Sequence, residues 1–265
     1  MMVGVLNNSE NVVISQVSKR FGDTQAVKNL DLVVPRGIVY GLLGPNGSGK
    51  STTMKMLLSL VKPDSGSISV FGIDPQKDPL KVKRLIGYVP ETPRLYEFLT
   101  GWEYIGFLCT IHGFNPAEQE YRVREFFDAF ELSGHENELI GGYSHGMKQK
   151  IALIGALIGK PQLLILDEPL GGLDPKAARI VKDLITELSE EGVTIIFSTH
   201  VMEIADAICN KICILYKGEK LIEATPKELK ELANTPGSTL EEVFLNLTGS
   251  SDLGPIVDAL AGKSE

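Results

Sequence analysis

Apolar residues fall in short continuous blocks bounded by turn residues, and these blocks alternate with stretches of helical spacing. Residues 12–17 and the alternating 30–34 predict two strands near the start. Pro35-Arg36-Gly37 turns the chain into 38–43, an apolar run that reads as a buried strand. Residues 52–60, rich in Met, Leu and Lys, predict a helix. Strands follow at 67–71 and 85–90, the second broken by Glu91-Thr92-Pro93. Between them Asp78-Pro79 reads as an N-cap followed by proline at the first helical position. Further strands are predicted at 163–167 and 193–197, and a hairpin joins 211–216 to 220–223 around Lys217-Gly218-Glu219. Helices are predicted over 145–160 and over 175–191, the latter closed by Gly192. Thr225-Pro226-Lys227-Glu228 and Ser238-Thr239-Leu240-Glu241 each read as a capping box opening a helix.

Residues 100–144 have a different texture. Thr100-Gly101-Trp102-Glu103 is a capping box, and Asn115-Pro116-Ala117-Glu118 starts a second helix. The aromatics Trp102, Tyr104, Phe107, Phe114, Tyr121, Phe126, Phe127 and Phe130 recur at helical spacing and are expected mostly in a core. No strand pattern interrupts the stretch, which reads as a helical insert in an α/β protein that begins with a small antiparallel sheet. The residues after Thr248 are small and polar and predict a loosely held tail.

Composition narrows the picture. The 265 residues are 43% hydrophobic and 23% charged, as in globular proteins. A net charge of −8 argues against broad binding to nucleic acid or anionic lipid. The first eleven residues are polar and lack the pattern of a signal peptide. The longest apolar run, 151–159, is far short of the roughly 20 residues that span a bilayer. Cys109, Cys209 and Cys213 form no metal-binding spacing and read as reduced structural cysteines of a cytosolic protein.

Three stretches carry candidate chemistry. Gly44-Pro45-Asn46-Gly47-Ser48-Gly49-Lys50-Ser51-Thr52 fits the phosphate-loop pattern, and it lies between a predicted strand and a predicted helix as that loop requires. Its glycines let backbone N–H groups wrap a phosphate, and the helix start adds unpaired donors. Lys50 would reach the outer phosphates and the Ser51 hydroxyl would ligate Mg²⁺. Second, an apolar strand ends in Asp167-Glu168. At that end of a parallel sheet, Asp167 would hold Mg²⁺ and Glu168 would orient or deprotonate water. Third, His200 ends another apolar strand on the same side. Phe21 stands beside a glycine turn, where either a ring exposed for binding or ordinary packing is possible.

In this order the motifs resemble the ATPase subunit of ATP-binding cassette (ABC) transporters, over nearly all of residues 12–247. Gly44 to Thr52 matches the family's Walker A, residues 163–168 match Walker B with its catalytic glutamate, Leu173-Asp174-Pro175 the D-loop, and His200 the switch histidine. Phe21 falls where the family stacks a ring on adenine, and Val27 where a side chain packs under the same base. Tyr143-Ser144-His145-Gly146-Met147 stands at the signature, usually Leu-Ser-Gly-Gly-Gln; Ser144 and Gly146 keep their positions, while His145 and Met147 depart. Glu91 replaces a usual Gln that touches Mg²⁺ and water. Both changes occur in the branch that serves drug-, sodium- or polysaccharide-export permeases.

The resemblance implies an α/β P-loop NTPase core of ABC type with an antiparallel β-subdomain and an α-helical subdomain. It would occupy residues 1–247, with the helical part at about 92–160 and a tail at 248–265. It implies ATP hydrolysis with Mg²⁺ held by Ser51, Glu91 and Asp167, and Glu168, His200, Lys50 and Glu91 in the catalytic step. Two subunits, identical or related, would sandwich ATP, so that Ser144, Gly146 and Asp174 serve nucleotide held by the opposite Walker A. The chain would act at the cytoplasmic face of the cell membrane, peripherally, energising a separate permease of exporter type, with residues 91–104 docking on it. Two other readings stand beside this one: a soluble ABC-type ATPase not coupled to transport, and a regulatory module that binds ATP but hardly cleaves it. Membrane fractionation separates off the first, and a Glu168→Gln comparison the second.

Overall fold

The structure, a computed structural model, describes residues 11–232 and 239–248. A three-stranded antiparallel sheet is formed by β1 (Val12–Phe21), β2 (Thr24–Val34) and β4 (Ser65–Val70) in the order β2-β1-β4. A second sheet has the order β5-β6-β7-β3-β8-β9. It comprises β3 (Val39–Leu43), β5 (Ile86–Val89), β6 (Leu163–Asp167), β7 (Thr194–Thr199), β8 (Lys211–Tyr216) and β9 (Glu219–Ala224). Its pairs are parallel except β8 with β9, which form a hairpin. Lys217 and Gly218 both have positive φ, as a tight two-residue hairpin turn requires.

The strands of the second sheet are apolar because helices or strands cover both faces. Alternate residues point to opposite sides. Leu164, Leu166, Ile195 and Phe197 face one core, with α5 (His145–Ile158) and α6 (Pro175–Glu190). Leu163, Ile165, Tyr40 and Leu42 face the other, with α1 (Lys50–Leu57) and the antiparallel sheet. Fully burying each such side chain contributes roughly 1.5–3 kcal/mol. Burial also pushes the thiols of Cys209 and Cys213 up to about 12, so these buried, unbridged cysteines are inert.

Residues 100–144 are helical, as their texture predicts. They hold α3 (Gly101–Ile111), α4 (Pro116–Ala129) and a short 3₁₀ turn, which pack with α5. Thr100 and Glu103 form the expected capping box, and Asn115 Oδ1 accepts the Ala117 N–H at 3.2 Å. Phe127 and Phe130 are buried, while Phe107 and Tyr121 are exposed rings.

Several boundaries differ from expectation for local reasons. β1 and β2 run through the polar stretch between their apolar ends because side chains support the backbone there. Asp64 accepts the Arg20 N–H and the Lys19 ammonium, both at 2.7 Å, and Asp31 accepts the Gln16 N–H at 2.9 Å across a bulge. Leu85 ends α2 (Pro79–Leu85) instead of opening β5. Asp78 precedes that helix without a side-chain cap bond; its carboxylate lies 3.4 Å from Lys81 Nζ. α7 (Met202–Ile208) and α8 (Pro226–Leu232) follow β7 and β9. Thr225 and Glu228 cap α8 reciprocally, as predicted. The last helix, α9 (Leu240–Thr248), has its box one residue later than expected, between Thr239 and Glu242. Ser238 and the predicted tail at 249–265 lie outside the described residues. Among the described residues no helix is long and apolar enough to cross a membrane.

Candidate functional site

Buried β3 delivers the chain into the loop Gly44 to Gly49, and α1 leaves it. Gly49 is the N-cap of α1 with φ 106°, and no side chain caps the helix. A Cβ on Gly49 would lie 2.6 Å from the Ala26 carbonyl, so the position needs glycine for both reasons. The first N–H groups of α1 therefore remain available to an anion. Lys50 is buried and its ammonium bonds Gly44 O at 2.6 Å and Pro45 O at 3.3 Å across the loop mouth. Burial pulls its pKa below the ordinary lysine value, against the upward pull of Glu168, Asp167 and Glu91.

Those acids sit at the C-terminal ends of neighbouring strands, where open parallel sheets bind ligands. With Thr24, Ala26 and residues 46–52, the three acids line a cavity of about 290 Å³. Asp167 is buried and accepts the Ser198 hydroxyl at 2.5 Å. Glu168 has φ 49°, a left-handed conformation that costs about 1–3 kcal/mol for a residue with a side chain. His200 Nδ1 lies 2.9 Å from Glu168 Oε1, which links the histidine at the end of β7 to the acid at the end of β6. The Tyr88 hydroxyl nearby is pushed up to about 12 by burial, with Asp167 and Glu91 adding to it.

The donors around this cavity suit a nucleotide and a hard cation. Ser48 Oγ is buried with no partner among the described residues, and the uncapped helix start offers N–H groups. The hydroxyl of Ser51 and the carboxylates of Asp167 and Glu91 are oxygen donors of the kind Mg²⁺ takes. No group of three or more His, Cys, Asp or Glu that could hold a metal by itself occurs among the described residues.

The sequence model of the ABC transporter family matches residues 27–171, from β2 through the phosphate loop to just beyond the two acids. The chain belongs to the ABC transporter family. The daunorubicin/doxorubicin resistance ATP-binding protein DrrA of Streptomyces peucetius is 38% identical over 216 residues, 82% of this chain and 66% of that protein. The Nod factor export ATP-binding protein I of Burkholderia lata is 36% identical over 215 residues, 81% of this chain and 71% of that protein. A solved dimeric ATP-binding cassette in a post-hydrolysis state, bound to ADP and Pi, superposes with a TM-score of 0.75 at 28% identity, over 81% of this chain and 98% of that one. The cassette is thus an ABC ATPase with the fold its motifs implied, and it is similar to ATP-binding proteins of drug resistance and Nod factor export.

The remaining expected residues of the cassette lie elsewhere. Ser144 is the N-cap of α5 and accepts the Met147 N–H at 3.2 Å. Gly146 approaches the Gly172 carbonyl so closely that a Cβ would lie 2.9 Å from it, and the His145 ring covers Gly172 on the other side. Asp174 caps α6 through the Ala177 N–H at 2.8 Å and lies 3.3 Å from Lys150 Nζ. None of Ser144, Gly146 and Asp174 lines the cavity around the phosphate loop. Phe21 is half exposed beneath the Lys19 ammonium, 5.3 Å from its ring centroid. Val27 is 1% exposed in the core beneath the small sheet, and a Cβ built on Gly49 would lie 3.4 Å from its Cγ2.

The sequence reading missed the groups that brace the site. Gln149 donates to the Pro169 carbonyl at 3.2 Å, and with Lys150 on Asp174 it ties α5 to the segment after the acids. Ser198 follows the strand predicted at 193–197 and carries no role in the sequence reading; in the structure it lies within β7. Its signal is register: Ser198 lies opposite Asp167, visible only once β6 and β7 are known to be neighbours.

Proposed function

We propose that this cassette binds and hydrolyses ATP with Mg²⁺ to energise a separate integral-membrane permease of exporter type, working at the cytoplasmic face of the membrane as one of two ATPase subunits, identical or related. The reading takes residues 1–247 as one cassette, about 92–160 as its helical part, and 248–265 as a tail outside it. The observation that carries it is the convergence of Lys50, Glu91, Asp167 and Glu168 on one cavity at an uncapped helix start, with His200 on Glu168.

In this reading the loop N–H groups and Lys50 hold the phosphates, and Phe21 stacks on the base. Ser51, Asp167 and Glu91 hold the magnesium ion, which when bound supplies positive charge to the phosphate oxygens. Glu168 accepts a hydrogen bond from the attacking water and polarises it. His200 keeps the Glu168 carboxylate oriented and stands ready to touch the outer phosphate. Positioning and charge stabilisation carry most of the rate, as in phosphoryl transfer generally. Ser144, Gly146 and Asp174 lie outside the cavity of their own chain, which agrees with a role toward nucleotide held by a second subunit. A two-fold pair of this kind closes on itself.

A second cavity, of about 790 Å³, supports the permease reading. It is lined by Glu91 to Leu95, by Tyr104 and Leu108 of α3 and by Ala152 and Ala156 of α5, and it also reaches Ser51 and Asp167. A permease helix seated there would feel both the helical part and the hydrolytic site. Two experiments test the whole reading. Glu168→Gln should lower ATP turnover by about 10²–10⁴-fold with binding kept; equal turnover in parent and variant would refute hydrolysis at this site. Affinity purification from native membranes should recover a polytopic membrane protein; recovery of soluble partners alone would favour a cassette not coupled to transport.

A further inference from the structure

One hydroxyl touches both of the acids at the end of β6. β7 lies beside β6 with Ser198 opposite Asp167, and Ser198 is wholly buried. Its hydroxyl donates to Asp167 Oδ1 at 2.5 Å and accepts the Glu168 N–H at 3.1 Å. A serine hydroxyl has one proton and two lone pairs, so it can serve both neighbours at once without conflict. The Glu168 N–H also reaches the Ser198 carbonyl at 3.2 Å. Residue 198 therefore holds the backbone of Glu168 at the point where φ turns positive, and two residues later the same strand end supplies His200 to the Glu168 carboxylate.

We propose that Ser198 is a positioning residue for ATP hydrolysis. Its hydroxyl engages one carboxylate oxygen of Asp167 and leaves the other for the cavity that Asp167 lines. At the same time it fixes where Glu168 leaves the sheet. A group that hydrogen-bonds a metal-holding carboxylate sets its orientation, and loss of such a group weakens metal affinity or activity by about 10- to 100-fold. The proposal rests on Asp167 as a holder of the magnesium ion. It adds that this acid is aimed by the neighbouring strand, so that β6, β7 and the histidine at the end of β7 move as one unit.

The test is nucleotide affinity with and without magnesium, in a Glu168→Gln background that stops turnover, together with the melting midpoint of the nucleotide-free protein. Ser198→Ala should reduce the gain in affinity that magnesium gives by about 10- to 100-fold. Magnesium-free affinity and the melting midpoint should stay near the parent's, and Ser198→Thr, which keeps the hydroxyl, should keep the gain. An unchanged gain in Ser198→Ala overturns the proposal. So does an equal loss with and without magnesium, the mark of a serine that only supports the fold. Asp167→Asn is the control: if it too leaves the gain intact, the assignment of Asp167 itself has failed, and the proposal with it.

Discussion

Two helix starts of the cassette, those of α1 and α5, are built in opposite ways. α1 begins at Gly49 with no side-chain cap, is fed by a fully buried strand, and looks into a cavity shared with Glu91, Asp167 and Glu168. α5 begins at exposed Ser144, whose hydroxyl already takes the Met147 N–H, and it lines no part of that cavity. Glycine at the first start leaves the donors for a ligand, at the cost of a helix end that is unsatisfied by itself. Serine at the second satisfies one of the first N–H groups from within the chain. In the proposed reading the first start holds phosphate within one chain, and the second faces an anion brought by another subunit.

The sharpest way to break this comparison is Gly49→Ala. The new methyl meets the Ala26 carbonyl and the backbone is held at φ 106°. A strain of about 1–3 kcal/mol corresponds to nucleotide binding weakened by about 5- to 150-fold, read by fluorescent-nucleotide titration. Affinity equal to the parent's would mean that the uncapped start is not where phosphate sits. Ser144→Ala comes next. It should cost about 0.5–2 kcal/mol of stability in urea unfolding, with nucleotide affinity of the single chain unchanged; a matching fall in that affinity would erase the distinction between the two starts. The smallest effect is expected at Glu91. Glu91→Gln keeps an oxygen donor in the cavity, so hydrolysis should persist. Complete loss of turnover with binding intact would give the charge of Glu91 a role of its own.

Much of this was legible because the signals are local. The phosphate loop, the acids ending β6 and the caps at Thr100, Asn115, Ser144 and Thr225 are each written within a few residues. What was not legible depends on partners far along the chain. The polar halves of β1 and β2 are strands because Asp64 and Asp31 satisfy their backbone or side chains, and no period-2 pattern announces that. The small sheet includes β4, which follows the phosphate-loop helix, and only pairing with β1 reveals it. Ser198, Gln149 and Lys150 gain their meaning from β6 and the segment that follows it. Chemistry-bearing residues were readable; the residues that aim them were not.

The position of β3 bears on how the protein is made. All five of its residues are buried, between β7 and β8. The Gly37 N–H waits for the Thr194 hydroxyl, 157 residues on, and the Val39 N–H for the Asn210 side chain, 171 residues on. At ribosomal speeds of about 5–20 residues per second, that is a delay of roughly 10 to 30 s. Through that interval the nascent chain carries an apolar strand with both edges open, followed by a loop that nothing yet braces. The phosphate loop is among the earliest parts of the cassette to be synthesised and among the last to take shape. Ribosome-bound fragments that stop short of β8 should need a chaperone to stay in solution.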